Sequence, residues 1–424
     1  MARIGRVSAR EILDSRGRPT VSARCELAEG AAASAAVPSG ASTGRAEAVE
    51  LRDGDPRRYR GLGCRRAVEN VNGEIHGALA GRAFATQEEL DRALIELDGT
   101  ADKSRLGANA VLAVSLAFAR ACALLGGRPL YAHFAEMIGR PPATLPRLTI
   151  NLFSGGKHAG KQVAIQDVLI VPAQPSTIDE SLVMAYEVYQ CAAELILERY
   201  SMRLLTADEG GLAPPFESAE AMLDTAVDAI RRAGLRPGAD VALAVDVASS
   251  HFYQWRTYQI DGARLDSGAM IECLAAWMGH YPIVSLEDGL AEEDWEHWPQ
   301  LCEAAGPTVR VVGDDLLCTN PARIRRAIRE RACNTLLLKV NQVGTLSEAA
   351  EAYRLARAAG WMVTISVRSG ETEDDWAADL AAGWSGDQFK NGSITRSERL
   401  AKYNRLLAIE AETGYPIVRW PAAG

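Results

Sequence analysis

The sequence predicts an α/β protein in which a closed barrel of parallel strands follows a smaller N-terminal domain. The first observation is a repeat: between residues 240 and 392, an apolar, strand-like run that ends in a charged residue occurs six times. Strand-like and helical segments also alternate up to about residue 410, with residues 181–200 the clearest amphipathic helix, as is typical of parallel sheets. Finally, 424 residues with 48% hydrophobic content can bury a barrel core and one further domain.

Residues 1 to about 135 differ from the rest of the chain and are expected to form the smaller domain. Strand-like stretches between residues 19 and 37 precede several helical patterns. The longest of these patterns, residues 107–127, is apolar on most of its faces and predicts a buried helix. The proline-bearing stretch 139–148 is expected to connect the two domains, so that residues 136–424 form the barrel.

Two glycine-rich loops are candidates for closing over a ligand. Residues 38–44 (PSGASTG) offer serine and threonine hydroxyls to a metal or an anion. Residues 155–161 (GGKHAGK) offer His158 and Lys161 to a phosphate. Stretches of this composition are also common as solvated surface turns, so the composition leaves both interpretations open.

The charged strand ends are the strongest indication of a functional site. A single charged residue at the end of a strand is usually a solvated loop residue. The carboxyl ends of parallel barrel strands converge on one mouth, however, so we expect six such residues in successive strands to share a pocket. Carboxylates suit a hard cation such as Mg²⁺, and the basic residues suit an anionic substrate. The six residues are Asp246, Glu287, Asp314, Lys339, Arg368 and Lys390.

Composition argues against several classes of partner. The net charge of -9 is unfavourable for binding nucleic acid, which needs a basic face. The sequence has no run of some 18 apolar residues and no signal-peptide pattern at its start, so we expect a cytoplasmic protein that does not bind membranes. The eight cysteines form no CxxC pair, which indicates reduced thiols instead of disulfides or a zinc site.

Many stretches, in order and over almost the full length, resemble enolases. The resemblance implies a modified (β/α)₈ TIM-type barrel, an α+β N-terminal domain that caps it, a homodimer or higher homo-oligomer, and two Mg²⁺ ions, the second arriving with substrate. The loop 38–44 is expected to be mobile. The matching stretches are EILDSRGRPTV, PSGASTG, LRDGD, LDGT, GANAVLAVSLA, GGKHAG, ADEGG, YPIVSLEDGL, GDDL, LLLKVNQVGTLSE, RSGETED and RSERLAKYN.

The same resemblance implies roles for individual residues. Lys339 matches the base that removes the proton from carbon 2, and Glu209 matches the acid that protonates the departing hydroxyl. The residues matching metal ligands are Asp246, Glu287, Asp314 and, for the second ion, Ser42. The residues matching substrate contacts are His158, Gln166, Asp167, Arg368, Ser369 and Lys390, of which Arg368 and Ser369 would hold the phosphate and Lys390 the carboxylate.

This chemistry places demands on two pKa values. A lysine acts as a base only when it is neutral, so we expect Mg²⁺ and Lys390 to lower the pKa of Lys339 from its usual value of ~10.4. Hydroxide is a poor leaving group and needs a protonated acid beside it. We expect Glu209 to stay protonated because its neighbour Asp208 would raise its pKa.

Three residues depart from the enolase pattern. Asp167 replaces a glutamate, Val367 a histidine and His251 a glutamate. Valine can neither transfer a proton nor donate a hydrogen bond. The substrate-facing groups have thus changed while the metal ligands, base and acid are intact.

These departures leave more than one function open. The protein is either an enolase acting on 2-phosphoglycerate or a specialised relative that forms a related enolpyruvate. The carboxyphosphonoenolpyruvate synthases of phosphonate antibiotic biosynthesis are an example of such a relative. A third hypothesis is a non-catalytic binding protein, against which the intact base, acid and metal ligands argue.

Overall fold

A computed structural model describes residues 1–41 and 43–420 of the chain. The N-terminal part contains a four-stranded sheet in the order β3-β2-β1-β4. All its pairings are antiparallel, and β4 lies beside β1 and not beside β3. The strands are β1 (Ala2–Leu13), β2 (Pro19–Leu27), β3 (Ala32–Ala36) and β4 (Ala83–Phe84).

Helices cover one side of this sheet. The predicted buried helix is confirmed as α4, which packs against β2 and β3. Among the described residues it is the one helix long and apolar enough to cross a membrane, but 78% of it is buried inside the protein, as in a core helix. The helices are α1 (Arg65–Asn70), α2 (His76–Leu79), α3 (Gln87–Asp98), α4 (Ala108–Leu125) and α5 (Leu130–Met137).

The rest of the chain forms the predicted barrel. Eight strands close in the order β11-β12-β13-β14-β15-β5-β6-β7, and β8–β10 form a small separate sheet. The strands are β5 (Arg147–Ser154), β6 (Asp167–Pro172), β7 (Val241–Asp246), β8 (Tyr253–Gln254), β9 (Thr257–Ile260), β10 (Ala263–Leu265), β11 (Ile283–Glu287), β12 (Arg310–Gly313), β13 (Thr335–Leu338), β14 (Met362–Ser366) and β15 (Gln388–Lys390).

One strand corrects the expectation of an all-parallel barrel. Strand β6 pairs antiparallel with both β5 and β7. The segment between β5 and β6 contains a short 3₁₀ turn (Gly156–Ala159) and no crossover helix, and a parallel connection needs such a crossover. As a result β6 begins at the mouth where the other strands end, and its first residue, Asp167, lies among their carboxyl ends.

Helices that follow the strands in sequence surround the barrel. The longest, α6, is capped by Thr177, the residue before it, whose side chain accepts a hydrogen bond from the Glu180 backbone N–H. Its buried face includes Ala185, Val188, Ala192 and Ile196, spaced as one side of a helix requires. The helices are α6 (Ile178–Tyr200), α7 (Ala219–Arg232), α8 (Ser267–His280), α9 (Trp298–Ala305), α10 (Pro321–Glu330), α11 (Val340–Val343), α12 (Leu346–Ala358), α13 (Trp376–Gly383) and α14 (Ser397–Thr413).

The N-terminal domain lies against the barrel mouth. Ser39 and Gly370 exchange two backbone hydrogen bonds, of 2.8 and 3.0 Å. The indole N–H of Trp376 donates to the Ala36 carbonyl at 3.2 Å. The loop that follows β3 is therefore held beside the end of β14, so both domains contribute to the space above the barrel.

Candidate active site

The predicted site residues come together in one pocket at the barrel mouth. Asp246 and Glu287 are the last residues of β7 and β11, and Lys339 directly follows β13. Glu287 joins the group through an ion pair with Lys390. Ser42 lies outside the described residues. The pocket is lined by His158, Gln166, Asp167, Glu209, Asp246, Asp314, Lys339, Arg368, Ser369 and Lys390, among others.

Lys390 bridges two of the predicted metal ligands. Its ammonium donates to Asp246 Oδ2 at 2.7 Å and to both Glu287 carboxylate oxygens at 2.8 Å. Burial, and then the charge of Asp246, raise the pKa of Glu287 well above its usual range. Burial alone would lower the pKa of Lys390, but the two carboxylates raise it well above its usual value. Cationic charge is therefore held firmly at this end of the pocket.

Asp314 forms a second ion pair, with Lys339. The Lys339 ammonium donates to Asp314 Oδ2, and Gln342 Nε2 donates to Asp314 Oδ1 at 2.8 Å. Burial is the largest single influence and lowers the pKa of Lys339, but the charges of Asp314 and Glu287 act with the hydrogen bond to Asp314 in the opposite direction, and the net shift is upward. This corrects the expectation of a lowered pKa: Lys390 does lower it, but by less than Asp314 raises it.

A second acidic group, which the sequence analysis missed, surrounds Asp314. Ligand atoms of Asp288, Asp314 and Asp315 all lie within 4.8 Å of one another. Asp288 has a left-handed backbone (φ 42°) and accepts the backbone N–H groups of Asp314 (3.0 Å) and Asp315 (2.7 Å). It thereby positions the loop after β12. The signal in the sequence was the second acid in each of the strings LEDG and GDDL.

Asp167 is held on the opposite side of the pocket. Its Oδ1 accepts hydrogen bonds from Asn151 Nδ2 (2.7 Å) and Ser154 Oγ (2.8 Å). Its Oδ2 is buried, lies 3.8 Å from His158 Nδ1 and has no hydrogen-bond partner within the described chain. Gly211 makes room for this arrangement, because a Cβ there would lie 2.6 Å from Asn151 Oδ1. One carboxylate oxygen is therefore fixed and the other faces the pocket.

Asp167 and Glu209 form a pair with different proton affinities. Together with His158 they place ligand atoms within 4.8 Å of one another. Burial raises the pKa of Asp167 to about 7. Burial also acts to raise the pKa of Glu209, but the charges of Arg399, His158 and other cations outweigh it and lower the pKa. Asp167 is therefore the member of the pair that holds a proton near neutral pH.

The prediction that Asp208 raises the pKa of Glu209 and keeps it protonated is wrong. The neighbouring carboxylate, Asp208, is exposed to solvent, whereas Glu209 is buried. A charge that is screened by solvent has little influence on a buried group. The like-charge effect exists in the pocket, but it acts on Asp167 and comes from Glu209 and Asp246.

The N-terminal domain supplies two residues that the sequence analysis did not single out. Arg368 Nη1 donates to Glu47 Oε2 at 2.8 Å and to Asn341 Oδ1 at 3.2 Å. Arg16 Nη1 donates to Ser369 Oγ at 3.0 Å. The predicted phosphate contacts are therefore positioned from both domains.

Arg399 also holds the backbone of Arg368 and Ser369. It is fully buried, and its guanidinium donates to the carbonyls of Arg368 (2.8 Å) and Ser369 (2.7 Å). It is also the charge that most lowers the pKa of Glu209. The residue lies in the matched string RSERLAKYN, but an arginine in a helix gives no sign of such contacts.

All three departures from the enolase pattern face this pocket. Val367 and His251 line it together with Asp167. The Nδ1 atom of His251 is buried and has no hydrogen-bond partner among residues 1–41 and 43–420. Burial, followed by the charge of Lys157, lowers the pKa of His251 to about 4, so the ring is neutral at physiological pH.

Comparisons with known proteins agree with this architecture. Residues 4–134 match the family described as Enolase, N-terminal domain, and residues 142–418 match Enolase, C-terminal TIM barrel domain. A protein named Enolase 1, from Methylococcus capsulatus, is 47% identical over 416 residues, which cover 97% of this chain and 98% of that protein. The chain therefore belongs to the enolase family.

Proposed function

We propose that the protein removes the carbon-2 proton and the carbon-3 hydroxyl of 2-phosphoglycerate to give phosphoenolpyruvate. One observation carries the proposal: a lysine, a pair of carboxyl groups and two anion-binding cations face one pocket. They are Lys339, Asp167 with Glu209, Arg368 and Lys390. A relative 47% identical that is named an enolase supports it.

Each of these residues has a distinct part in the reaction. Arg368, Ser369 and Lys390 bind the anionic ends of the substrate and so fix the carbon-2 proton near Lys339. Lys339 takes that proton as the general base, and for this it must first lose the proton that its ion pair with Asp314 favours. The proton held between Asp167 and Glu209 goes to the carbon-3 hydroxyl, which leaves as water.

The carboxylates of the pocket fit a magnesium ion. Carboxylate oxygens are the ligands that Mg²⁺ prefers, and the structure provides them in excess of the two ammonium groups that pair with them. Asp246, Glu287 and Asp314 would hold the ion. When bound, it would stabilise the second negative charge that forms on the substrate carboxylate as Lys339 removes the proton. A second ion, held with the help of Ser42, is expected with substrate.

The direct test is turnover of 2-phosphoglycerate with Mg²⁺, followed by the ultraviolet absorbance of the enol product. The expected kcat is roughly 10 to 100 per second. Only a trace rate, with Mg²⁺ binding intact by calorimetry, would contradict the proposal and favour another substrate. Absence of both turnover and Mg²⁺ binding would favour the non-catalytic hypothesis.

A second candidate function rests on the three departures. Asp167, Val367 and His251 face the same pocket, so its shape and polarity differ from the enolase pattern where the substrate would lie. This favours a related enolpyruvate product, such as carboxyphosphonoenolpyruvate, if 2-phosphoglycerate is turned over poorly. The base, the acid pair and the metal ligands of the site would serve either substrate.

We place the domain boundary at residues 135 and 136; the loop 38–44, for which the resemblance implies mobility, includes Ser42, which lies outside the described residues. The two family matches, which end at residue 134 and begin at residue 142, support this division.

The partner is a small phosphorylated or phosphonylated hydroxy acid, and the protein acts in the cytoplasm without nucleic acid or membrane.

We further propose that the protein is a homodimer or higher homo-oligomer. Exposed apolar side chains cluster along α6 and the loop after it, namely Val183, Tyr186, Leu197, Leu204 and Leu205. Sedimentation is expected to show at least a dimer, and Tyr186→Glu with Leu205→Glu is expected to shift it towards monomer. A monomeric wild-type protein would contradict the proposal, and Leu124→Glu, at an exposed apolar residue on α4, is the control.

A further inference from the structure

The distribution of lysines in this chain is unusual. The chain has 46 lysines and arginines, but only six are lysines. Four of them are in ion pairs: Lys103 with Glu348, Lys339 with Asp314, Lys390 with Asp246 and Glu287, and Lys402 with Glu371. The other two, Lys157 and Lys161, are exposed and lie in the glycine-rich loop beside the candidate active site.

These two lysines share a cavity with His251. The cavity lies next to the catalytic pocket, and His251 lines both. Neither ammonium has a hydrogen-bond or ion-pair partner in the described part of the chain. Both ammonium groups lower the pKa of His251. The pKa of Lys157 is lowered by burial and by Lys161 and raised by Asp315 and Glu292, so the three basic groups lie within electrostatic reach of one another and of these two carboxylates. Two carboxylates, Glu217 and Asp261, line the same cavity, and Asp261 accepts the Ala219 backbone N–H at 2.8 Å.

The loop backbone holds Lys161 in an unfavourable conformation. Its φ of 64° is left-handed, which non-glycine residues rarely adopt, and its N–H donates to the Gly156 carbonyl at 2.7 Å. Gly155 packs so closely that a Cβ there would lie 2.5 Å from the Ile165 carbonyl oxygen. Strain that is stabilised in this way is common where a side chain must be placed for binding.

The residue at position 251 changes what the cavity can bind. A glutamate, as in the enolase pattern, would form an ion pair with the lysines and repel an anion. A neutral histidine leaves both ammonium groups available and can donate a hydrogen bond of its own.

We propose that Lys157, Lys161 and His251 form a binding site for a small oxyanion, a phosphate or a carboxylate, that adjoins the catalytic pocket at His251. The proposal rests on the proposed function, because the anion would lie beside the substrate. Two sources supply this chemistry: a further anionic group on the substrate itself, or a free oxyanion. A lysine ammonium is a compact charge on a flexible side chain, which suits reversible binding of a small oxyanion.

The first experiment is a calorimetric titration with inorganic phosphate. Lys157→Gln with Lys161→Gln, and separately His251→Glu, are expected to weaken by about tenfold a phosphate-binding event seen in the wild type. A phosphate bound at Arg368 and Ser369 would remain in every variant. The control is Arg92→Gln with Arg329→Gln, which removes two positive charges from the exposed surfaces of α3 and α10. Identical isotherms for wild type and the double lysine variant would overturn the proposal.

The second experiment separates the two sources by calorimetry. It compares 3-phosphonopropanoate with phosphonosuccinate, which carries one more carboxylate. If the substrate supplies the anion, phosphonosuccinate binds about tenfold more tightly and the double lysine variant loses this advantage. If a free oxyanion is the ligand, the two compounds bind equally and phosphate binds beside either. Neither experiment depends on turnover, so failure to convert 2-phosphoglycerate remains a separate result.

Discussion

Replacing Lys339 by alanine is expected to lower kcat for 2-phosphoglycerate by about 10³- to 10⁴-fold, the range found when a general base is removed. Lys339 lies at the mouth beside Asp314, and its ammonium is a donor to that carboxylate. Removing it takes away the group that accepts the carbon-2 proton and leaves Arg368, Ser369 and Lys390 to bind the substrate. KM is therefore expected to change much less than kcat.

Exchange of the carbon-2 proton with deuterated solvent gives a readout specific to this role. The exchange is expected to be lost in Lys339→Ala but to continue in Glu209→Gln, which keeps the base and lacks part of the acid pair, whereas a general disturbance of the pocket would slow exchange in both variants. Because the ammonium of Lys339 competes for Asp314, the variant is also expected to retain Mg²⁺ binding. Continued exchange at the wild-type rate would mean that another group is the base.

Much of the site follows from one rule of barrel geometry. The apolar runs before Asp246, Glu287 and Lys390 are strands, and their last residues meet at the mouth. Periodicity and composition identify such strands because each is buried on both faces. The position of the charges could therefore be predicted without any tertiary information.

The direction of β6 could not be predicted from the same pattern. A buried strand has the same composition whichever way it runs, and only the missing crossover helix after β5 indicates an antiparallel pair. Asp167 was therefore assigned by resemblance and not by geometry. The structure shows that it reaches the mouth as the first residue of its strand.

The effects of charges that are distant in sequence were the hardest part of the site to predict. Arg399 lies far along the chain from Glu209, yet it lowers that carboxyl's pKa and donates hydrogen bonds to two carbonyls of the predicted phosphate-binding segment. Asp208 is adjacent to Glu209 in sequence but is exposed to solvent. Neighbours in sequence are thus a poor guide to the electrostatics of a buried group, because burial and long-range contacts decide it.

Replacing Asp167 by asparagine is expected to lower kcat by about 10²- to 10⁴-fold, because it removes the proton that the pair of acids shares. The pKa of Asp167 is raised to about 7, so the carboxyl is protonated below that pH and ionised above it. In the wild type kcat is therefore expected to fall as pH rises through about 7. Glu209→Gln is expected to cause a loss of similar size, since the pair acts as a unit.

The pH profile distinguishes this role from simple damage to the pocket. In Asp167→Asn the fall near neutral pH is expected to disappear, because the amide does not titrate, whereas a purely structural defect would lower the rate without changing the profile. Asp208→Asn is the matched control: it removes an exposed carboxylate next to Glu209 and is expected to leave both rate and profile unchanged. A shift of the profile in that control would mean that the exposed neighbour, and not Asp167, sets the proton affinity of the pair.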